Sequence, residues 1–324
     1  MGVQANAPGV AAGVLPLARL HEPRGRPTTL AVVADPHVTP DGEGTWKCYD
    51  RTEQRLRRAV EDINGRAVDA VVLAGDLTRD GHAAEFDAVE ALLGELAVPW
   101  VAVPGNHDVA KSYDEHDTPA LLDFARRFTP GSLPFVERVP AGEHGVEVVG
   151  INTASRPDGS LSETHTGGVA PTTIDWLDRT LADCEQPVVV GHHTAARGED
   201  HTYAGMRTDE YRLDGADALA EVLERHGVAL TLSGHIHWPT AAPFGGGHEL
   251  VLPPLSSFPA AYTLVHVAPT GTRVELVPVA GGQELRAAYD AAREHPRGQR
   301  LAATAEAGYF ERFPLVDTMR DPGW

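Results

Sequence analysis

The sequence has few cysteines and no long apolar run. Cys48 and Cys184 are the only cysteines in 324 residues, and their separation matches no metal-binding spacing. This excludes a disulfide framework and predicts two reduced thiols. No apolar run reaches the roughly 18 residues that a membrane span requires. The mildly apolar stretch 9–20 lacks the basic start and cleavage site of a signal peptide, so we expect a cytoplasmic protein without membrane contact.

Lysine is also scarce. Only Lys47 and Lys111 are lysines among the 27 basic residues, and the formal net charge at pH 7 is -19. An acidic surface repels long polyanions, so we expect no long nucleic acid as a partner. The acidity fits two explanations, adaptation to high salt or a compositional bias toward Asp, Ala and Arg codons, and both stay open.

Histidine and aspartate, in contrast, are concentrated in five short segments, each of which follows an apolar run typical of a buried strand. The segments are Asp35-Pro36-His37, Gly75-Asp76, Gly105-Asn106-His107-Asp108, Gly191-His192-His193 and Gly234-His235-Ile236-His237. Taken singly, each segment fits a capping Asp or a loop His better than a ligand. An ordered set at five strand ends is hard to obtain by chance, and it supplies about seven side chains for two divalent cations.

Strands and helices alternate across the region that carries these segments. The apolar patterns predict strands at 28–34, 70–74, 100–103, 146–151, 188–190 and 229–232, and helices ending near 63, 96, 182 and 226. Asp50 and Glu53 resemble a capping box at the start of the first helix. This alternation predicts largely parallel β-structure with helical cover, in which ligands bind at the carboxyl ends of the strands.

The two ends of the chain carry no recognisable chemistry. Residues 1–27 are rich in Gly, Pro and Ala and predict an N-terminal extension before a catalytic domain at 28–280. Within that domain, runs at 250–252, 261–267 and 272–279 predict antiparallel strands that complete a second sheet. Residues 281–324 predict a C-terminal helical element of two helices, used for packing or in a homodimer.

In this order, the five segments resemble the signature of the calcineurin-like metallophosphoesterases: Asp-x-His, Gly-Asp-x-x, Gly-Asn-His-Asp/Glu, Gly-His and Gly-His-x-His. The match runs from residue 35 to residue 237, and the double histidine is similar to that of the class III cyclic-nucleotide phosphodiesterases. The resemblance implies an α/β fold, a four-layer α/β/β/α sandwich of two mixed sheets flanked by helices. It also implies a binuclear-metal-dependent phosphoesterase in which a metal-bound hydroxide attacks phosphorus.

The resemblance further implies a role for each motif residue. The implied metal ligands are Asp35, His37 and His237 for one ion, Asn106, His192 and His235 for the other, and Asp76 as a bridge between both. His107 would act on the substrate as the catalytic residue, and Asp108 would orient its imidazole. Ligands of this mixed type accept two divalent or trivalent ions, Mn, Fe, Zn or Co, without selecting one of them.

Residues beyond the ligand set are candidates for substrate binding. His193 is either a pocket residue or a solvated loop histidine. In the loop 194–212, Arg197 and Arg207 could contact a phosphate and Tyr203 could stack on a base, unless the loop is a solvated insertion. Arg79 stands where many family members carry an acidic residue or Asn, and it is either an ion-pairing surface residue or a phosphate contact.

These features favour a phosphodiesterase that acts on a small phosphate ester such as a cyclic nucleotide. A phosphomonoesterase of the nucleotidase type is an alternative, because a two-metal site also suits monoesters. A non-catalytic metal-binding scaffold of the same fold is another, but the ligand set and His107 are intact. A nuclease is disfavoured by the charge and by the lack of a nucleic-acid module.

Overall fold

A computed structural model of the chain describes residues 13–112, 114–139, 145–161, 164–203 and 208–319. Within these residues, thirteen strands form two sheets: β1 (Leu15–Leu20), β2 (Thr28–Val33), β3 (Ala70–Ala74), β4 (Trp100–Val103), β5 (Phe135–Val139), β6 (Val146–Gly150), β7 (Pro187–Val190), β8 (Leu230–Ser233), β9 (Thr240–Phe244), β10 (Gly247–Val251), β11 (Ala261–Ala268), β12 (Gly271–Pro278) and β13 (Val316–Asp317). The helices of the described residues are α1 (Thr52–Asn64), α2 (Ala83–Leu93), α3 (Leu121–Phe128), α4 (Pro171–Leu181), α5 (Ala216–Arg225), α6 (Gly282–Glu294) and α7 (Gln299–Glu306).

Both sheets are mixed, and each has parallel strands at the position of the motifs. The first sheet has the order β13-β1-β12-β11-β2-β3-β4, with β2, β3 and β4 parallel. The second has the order β5-β6-β7-β8-β10-β9, with β6, β7, β8 and β10 parallel. An antiparallel strand adjoins the parallel group on one side in the first sheet and on both sides in the second. β4 is the edge strand of the first sheet, whereas the other motif-bearing strands have a neighbour on each side.

The alternation of side chains along β2 shows how the layers are built. Leu30 and Val32 point into the space between the two sheets, where they join Val148, Val188 and other residues of the second sheet. Ala31 and Val33 point the other way because successive side chains of a strand alternate between its faces, and they pack against α1, α2 and α3. Each fully buried Leu or Val of this kind contributes on the order of 2 kcal/mol.

The second sheet repeats this arrangement with its own helices. Val149 and Val189 pack against Leu177 of α4 and Leu219 of α5. Two sheets therefore face each other with helices outside both, which confirms the predicted α/β/β/α sandwich. The structure places all six predicted strands within one residue of the predicted bounds.

Two parts of the predicted architecture are different. Residues 15–20, which the sequence assigns to an N-terminal extension, form β1 between β12 and β13. The prediction that the late antiparallel strands complete the second sheet was wrong for β11 and β12, because β11 pairs with β2 of the first sheet. β9 and β10 take that place in the second sheet.

The start of α1 is also different. The expected capping box of Asp50 and Glu53 does not form, because Asp50 lies inside a 3-10 turn at Tyr49–Arg51 and the helix begins at Thr52. The Asp50 carboxylate pairs with Arg51 at 3.1 Å.

The C-terminal helices pack on the core as predicted for a helical element. Tyr289 of α6 and Phe310 join Trp238 and Phe258 in an aromatic cluster at one end of the sandwich. None of the helices in the described residues combines the length and apolar character that crossing a bilayer requires. The domain boundaries at 28, 280 and 281 stay predictions.

Candidate metal centre

The five motif segments meet at one edge of the two facing sheets. Asp35 and His37 follow β2, Asp76 follows β3, and Asn106 follows β4. His192 follows β7, and His235 and His237 follow β8. Adjacent segments are tied by backbone hydrogen bonds, for example from His37 N to Asp76 O at 2.9 Å. The parallel strands end side by side, so polar residues far apart in the sequence become neighbours.

The backbone at these residues is unusual. Asp35, His37, Asp76, His235 and His237 all have a positive φ, between 46° and 72°. Non-glycine residues rarely adopt this left-handed conformation, although Asp and His do so more readily than most. Such conformations cost of order 1–3 kcal/mol each and persist where the surroundings enforce them, typically at functional sites.

Gly105 is required by the close approach of Asp76. A Cβ at this position would overlap the Asp76 carboxylate and its backbone nitrogen. Any larger residue would therefore displace the carboxylate that lies at the centre of the site.

Asp35, His37 and His237 form the first cluster of side chains. The Asp35 carboxylate lies 3.4 Å from His237 Nε2 and 3.9 Å from His37 Nε2. The two Nε2 atoms are 3.0 Å apart. All three side chains are buried, so their polar atoms converge on one point inside the protein.

Asp76 lies between this cluster and a second one. Its Oδ2 is 3.5 Å from His37 Nε2, and its Oδ1 is 3.3 Å from His192 Nε2. Oδ1 also accepts the backbone N–H of His107 at 2.9 Å. The two oxygens of one carboxylate therefore face two different histidine groups.

The second cluster contains atoms that have no partner. Asn106 Oδ1, His192 Nε2 and His235 Nε2 are buried and lack a hydrogen-bond partner among the described residues. Leaving a polar atom in this state costs about 1–3 kcal/mol, and a bound cation would remove that cost. The donor set therefore fits a metal ion.

Hydrogen bonds behind the histidines orient their rings. His37 Nδ1 donates to Thr78 O at 3.3 Å, and His192 Nδ1 donates to Ala74 O at 2.8 Å, since a carbonyl oxygen can only accept. His237 Nδ1 is held by the Ser257 hydroxyl at 2.7 Å. In all three rings Nε2 is left to face the site, as in metal sites where an outer partner fixes the tautomer.

Burial and charge shift the acidities of the ligand groups. Burial raises the pKa of Asp35 to about 7. Burial alone would also raise the pKa of Asp76, but the positive charges of His192 and His107 hold it well below its usual range. Burial disfavours the charged form of His192, yet Asp76 raises the pKa of this ring to about 9. Because a metal ion binds only the neutral ring, metal binding at His192 would compete with protonation.

Comparison with known proteins identifies the family of this chain. The model of the calcineurin-like phosphoesterase family matches residues 28–239. The chain belongs to this family. The family and the metal-dependent phosphoric ester hydrolase predicted from the motifs are therefore confirmed.

Two of the similar proteins are named as phosphodiesterases of cyclic nucleotides. The 3',5'-cyclic adenosine monophosphate phosphodiesterase CpdA of Escherichia coli K12 is 25% identical over 230 residues, 70% of this chain and 73% of that protein. A cAMP/cGMP dual specificity phosphodiesterase of Mycobacterium tuberculosis is 25% identical over 309 residues, 87% of each protein. The crystal structure of a dimetal phosphatase from Danio rerio has a TM-score of 0.56 at 19% identity, covers 74% of this chain and 93% of that chain, and shows the shared fold.

This phosphoesterase has the donors that a binuclear centre requires. Calcineurin-like phosphoesterases use such a centre, and groups of His and Asp side chains in this chain could hold metal ions. Carboxylate and amide oxygens together with imidazole nitrogens suit Mn, Fe, Zn or Co.

His107 and Asp108 do not form the pair that the resemblance implies. His107 Nδ1 donates to the carbonyl of Arg79, and its Nε2 lies 4.0 Å from Asp76. The Asp108 carboxylate accepts hydrogen bonds from the backbone N–H groups of Leu77, Thr78 and Gly105 at 2.8–3.0 Å. Asp108 therefore ties the loop after β4 to the loop after β3, and the expectation that it orients the imidazole was wrong.

The predicted substrate contacts have different outcomes. His193 is 2% exposed beside His235, so it is not a solvated loop histidine. Arg197 is exposed, and its charge acts on Asp217 of α5. Arg207 lies outside the described residues. Tyr203 is buried against Trp238 and Tyr309, so it is a core residue rather than a base-stacking one.

Arg79 has the ion-pairing role that the sequence left open. Its guanidinium lies 3.1 Å from the Asp80 carboxylate and over the ring of Tyr49. Its backbone carbonyl accepts a hydrogen bond from His107.

Several residues near the centre have no signal in the motifs. Lys47 Nζ lies 3.2 Å from His37 Nε2, and the Trp46 ring packs against His237 at 5.4 Å and stacks on His295 of the C-terminal element at 5.8 Å. The near absence of lysine elsewhere was the one available hint for Lys47. Thr153 and Ser257 hold ligand-bearing segments through their hydroxyls, which a sequence pattern cannot indicate.

Proposed function

We propose that this protein is a binuclear-metal-dependent phosphodiesterase that hydrolyses a small phosphate ester such as a cyclic nucleotide. The two similar proteins described above are named for acting on cyclic nucleotides, and the family hydrolyses phosphate esters. The acidic surface disfavours only long polyanions.

The observation that carries this proposal is the position of Asp76. One of its oxygens faces His37 and the other faces His192, so a single carboxylate can serve two ions at once. The ligand sets that we assign are Asp35, His37, Asp76 and His237 for the first ion, and Asp76, Asn106, His192 and His235 for the second. When bound, two such ions supply a nucleophile from water near neutral pH and stabilise negative charge on the phosphate.

Hydrogen bonds within the protein hold several of these side chains in place. Ala74 O, Thr78 O and the Ser257 hydroxyl fix three of the histidine rings. Asn106 contributes an oxygen without negative charge, which leaves the centre cationic enough to attract phosphate. Preorganisation of this kind removes reorganisation from the reaction step.

His107 is the residue that we assign to the leaving group. Its Nδ1 proton is held by Arg79 O, so Nε2 is the atom free to act. Burial lowers the pKa of His107 to about 4 in the metal-free protein. A proton taken up at Nε2 beside an anionic phosphate can pass to the departing alkoxide.

A hydrolysis panel tests the proposal. Protein stripped of metal and reloaded with Mn should hydrolyse cAMP, cGMP and bis(4-nitrophenyl) phosphate, and prefer the diester to 4-nitrophenyl phosphate. Asp76→Asn should reduce kcat/KM on the order of 100-fold or more, because it removes the charge shared by both ions. Asp87→Asn, an exposed residue paired with Arg127, is the matched control and should retain full activity.

Three results would contradict the proposal. They are turnover that is independent of metal, undiminished turnover in Asp76→Asn, and preference for the monoester, which would favour the phosphomonoesterase. The metal in use, a homodimer and a cytoplasmic location stay predictions that metal analysis of the native protein, sedimentation and fractionation would check.

A further inference from the structure

His192 and His193 are neighbours in the sequence and both lie buried in the second cluster. The rings of His193 and His235 are 4.6 Å apart, and those of His192 and His193 are 4.9 Å apart. Potential ligand atoms of the three histidines lie within 4.8 Å of one another, so proximity alone would allow all three to hold the same ion. Their hydrogen bonds, however, show which of these rings can offer a lone pair to an ion.

The hydroxyl of Thr153 fixes the tautomer of His193. Its Oγ1 accepts the backbone N–H of His192 at 3.0 Å and that of His193 at 3.1 Å. A hydroxyl has two acceptor positions and one proton, so both acceptor positions are filled. The remaining contact, 3.0 Å to His193 Nδ1, must use the hydroxyl proton, and Nδ1 is therefore the acceptor.

A neutral imidazole whose Nδ1 accepts carries its proton on Nε2. His192 has the opposite arrangement, because its Nδ1 donates to Ala74 O at 2.8 Å and its Nε2 faces Asp76. Two adjacent histidines thus present different atoms to the same cluster: His192, in the neutral form that can bind a metal ion, offers a nitrogen lone pair, and His193 offers an N–H.

The Nε2–H of His193 has no acceptor of good hydrogen-bond geometry within the described part of the chain. Nε2 is buried there, and the backbone carbonyl of Thr164 offers it only a weak hydrogen bond. The fold makes room for this arrangement, since a Cβ on Gly167, whose φ is +71°, would lie 2.5 Å from His193 Cγ and from Thr153 O. An acceptor that arrives with the substrate would complete the bond.

We propose that His193 donates a hydrogen bond from Nε2 to an oxygen of the substrate's phosphate group beside the second ion, and that it is not a ligand of that ion. This inference rests on the proposed function, because the acceptor is the phosphate of the ester that the centre cleaves. A donor aimed at the non-bridging oxygens stabilises the charge that develops there during attack.

Two substitutions that differ by one methylene test the inference. The amide of Gln reaches the position of the histidine Nε2, whereas the amide of Asn reaches only that of Nδ1. His193→Gln should keep kcat/KM within about fivefold, and His193→Asn should lower it about 10- to 100-fold, the usual effect of losing a hydrogen bond to a charged group. The matched control, His226→Asn, changes a histidine that pairs with Asp178 on the outer helices, and it should retain full activity.

Two measurements separate a substrate contact from a metal ligand or a folding role. Zinc-loaded His193→Gln and His193→Asn should both contain two ions per chain by elemental analysis. In the ¹⁵N spectrum of histidine-labelled wild type, the signal that disappears in His193→Gln should have the pattern of the Nε2–H tautomer. Loss of one ion, an Nδ1–H pattern, or equal activity in the two variants would overturn the inference.

These readouts also separate this inference from the proposed function. If wild type hydrolyses no phosphate ester, the proposed function fails, whereas the tautomer and the metal content still decide whether His193 is a donor or a ligand. If wild type is active and His193→Asn retains full activity, only the inference about His193 fails.

Discussion

Three buried carboxylates near the centre accept hydrogen bonds from the backbone of the surrounding loops. Asp35 accepts the backbone N–H of His235 at 3.1 Å, and Asp76 accepts that of His107 at 2.9 Å. Asp108 accepts from three backbone N–H groups and from the Thr78 hydroxyl. The pKa of Asp108 is nevertheless raised to about 6, because burial and the charge of Asp76 outweigh these bonds.

We expect Asp108→Asn to destabilise the protein strongly. Asn has one acceptor oxygen, and its NH2 group would face backbone N–H donors, so at least one buried donor is left unpaired. The free energy of unfolding should fall by about 2–4 kcal/mol in urea denaturation. Asp80→Asn, whose exposed carboxylate pairs with Arg79, should stay within about 0.5 kcal/mol. A similar small change in Asp108→Asn would show that Asp108 does not hold the two loops.

At this scale the sequence indicates the candidate ligands but not the residues that hold them in place. Asp35, His37 and Asp76 have a left-handed backbone, and Asp76 approaches Gly105 closely. Both features restrict which residues fit at these positions, so the motifs have fixed spacings that a sequence pattern can detect. Thr153 and Ser257 support ligands from distant positions, and many hydroxyl residues in a sequence could do so. Asp108 has a motif position, yet its actual partners depend on how two loops pack.

At the scale of elements, β10 carries a carboxylate that anchors the loop after β7. Glu249 is fully buried and accepts the backbone N–H of Ala195 at 3.0 Å, that of Ala196 at 2.7 Å, and the Ser233 hydroxyl at 2.7 Å. This loop follows His192 and His193 directly. The strand therefore stabilises the geometry of the second cluster from outside it.

Glu249→Gln should weaken this anchor. The amide NH2 of Gln cannot accept from a backbone N–H, so one donor of the loop loses its partner. We expect a loss of about 2–3 kcal/mol in the free energy of unfolding. Glu275→Gln on β12, where the carboxylate is partly exposed and lies 3.3 Å from His266, is the control and should change stability by less than about 0.5 kcal/mol. Equal stability of the two variants would contradict the anchoring role.

The elements that the sequence predicts well are the buried parallel strands. β3 and β7 are continuous apolar runs, a pattern specific to strands covered on both faces. β1 was missed because Leu15–Leu20 is a short run close to Pro23 with an exposed Arg19. The placement of β11 in the first sheet depends on pairing with β2, which local pattern cannot decide.

For the whole molecule, acid should destabilise the metal-free protein. An unfolded histidine takes up a proton below about pH 6.5, whereas His107 in the fold does so only near a pKa of about 4. Burial lowers the pKa values of four more site histidines well below the usual range: His37, His193, His235 and His237. Below pH 6.5 the unfolded chain therefore binds more of these protons, and the folded state loses stability as the pH falls.

Two carboxyls and one histidine act in the opposite direction. Asp35, Asp108 and His192, with pKa values of about 7, about 6 and about 9, bind protons more tightly in the folded state, so they favour it as the pH falls. The five histidines outweigh these three groups. The Tm of protein in EDTA should therefore fall by roughly 5 °C or more between pH 7 and pH 5, and His107→Gln should show a smaller decrease. A Tm that is equal or higher at pH 5 would contradict this balance.

The double duty of Asp35 and Asp76 constrains how this protein can diverge. Replacing either aspartate with a side chain that has no acceptor would leave a buried backbone N–H unpaired, so such a variant would be less stable. Asn106 offers an easier route, because its Oδ1 has no partner in the described residues. Inactive proteins that descend from this one should therefore keep both aspartates longer than they keep Asn106.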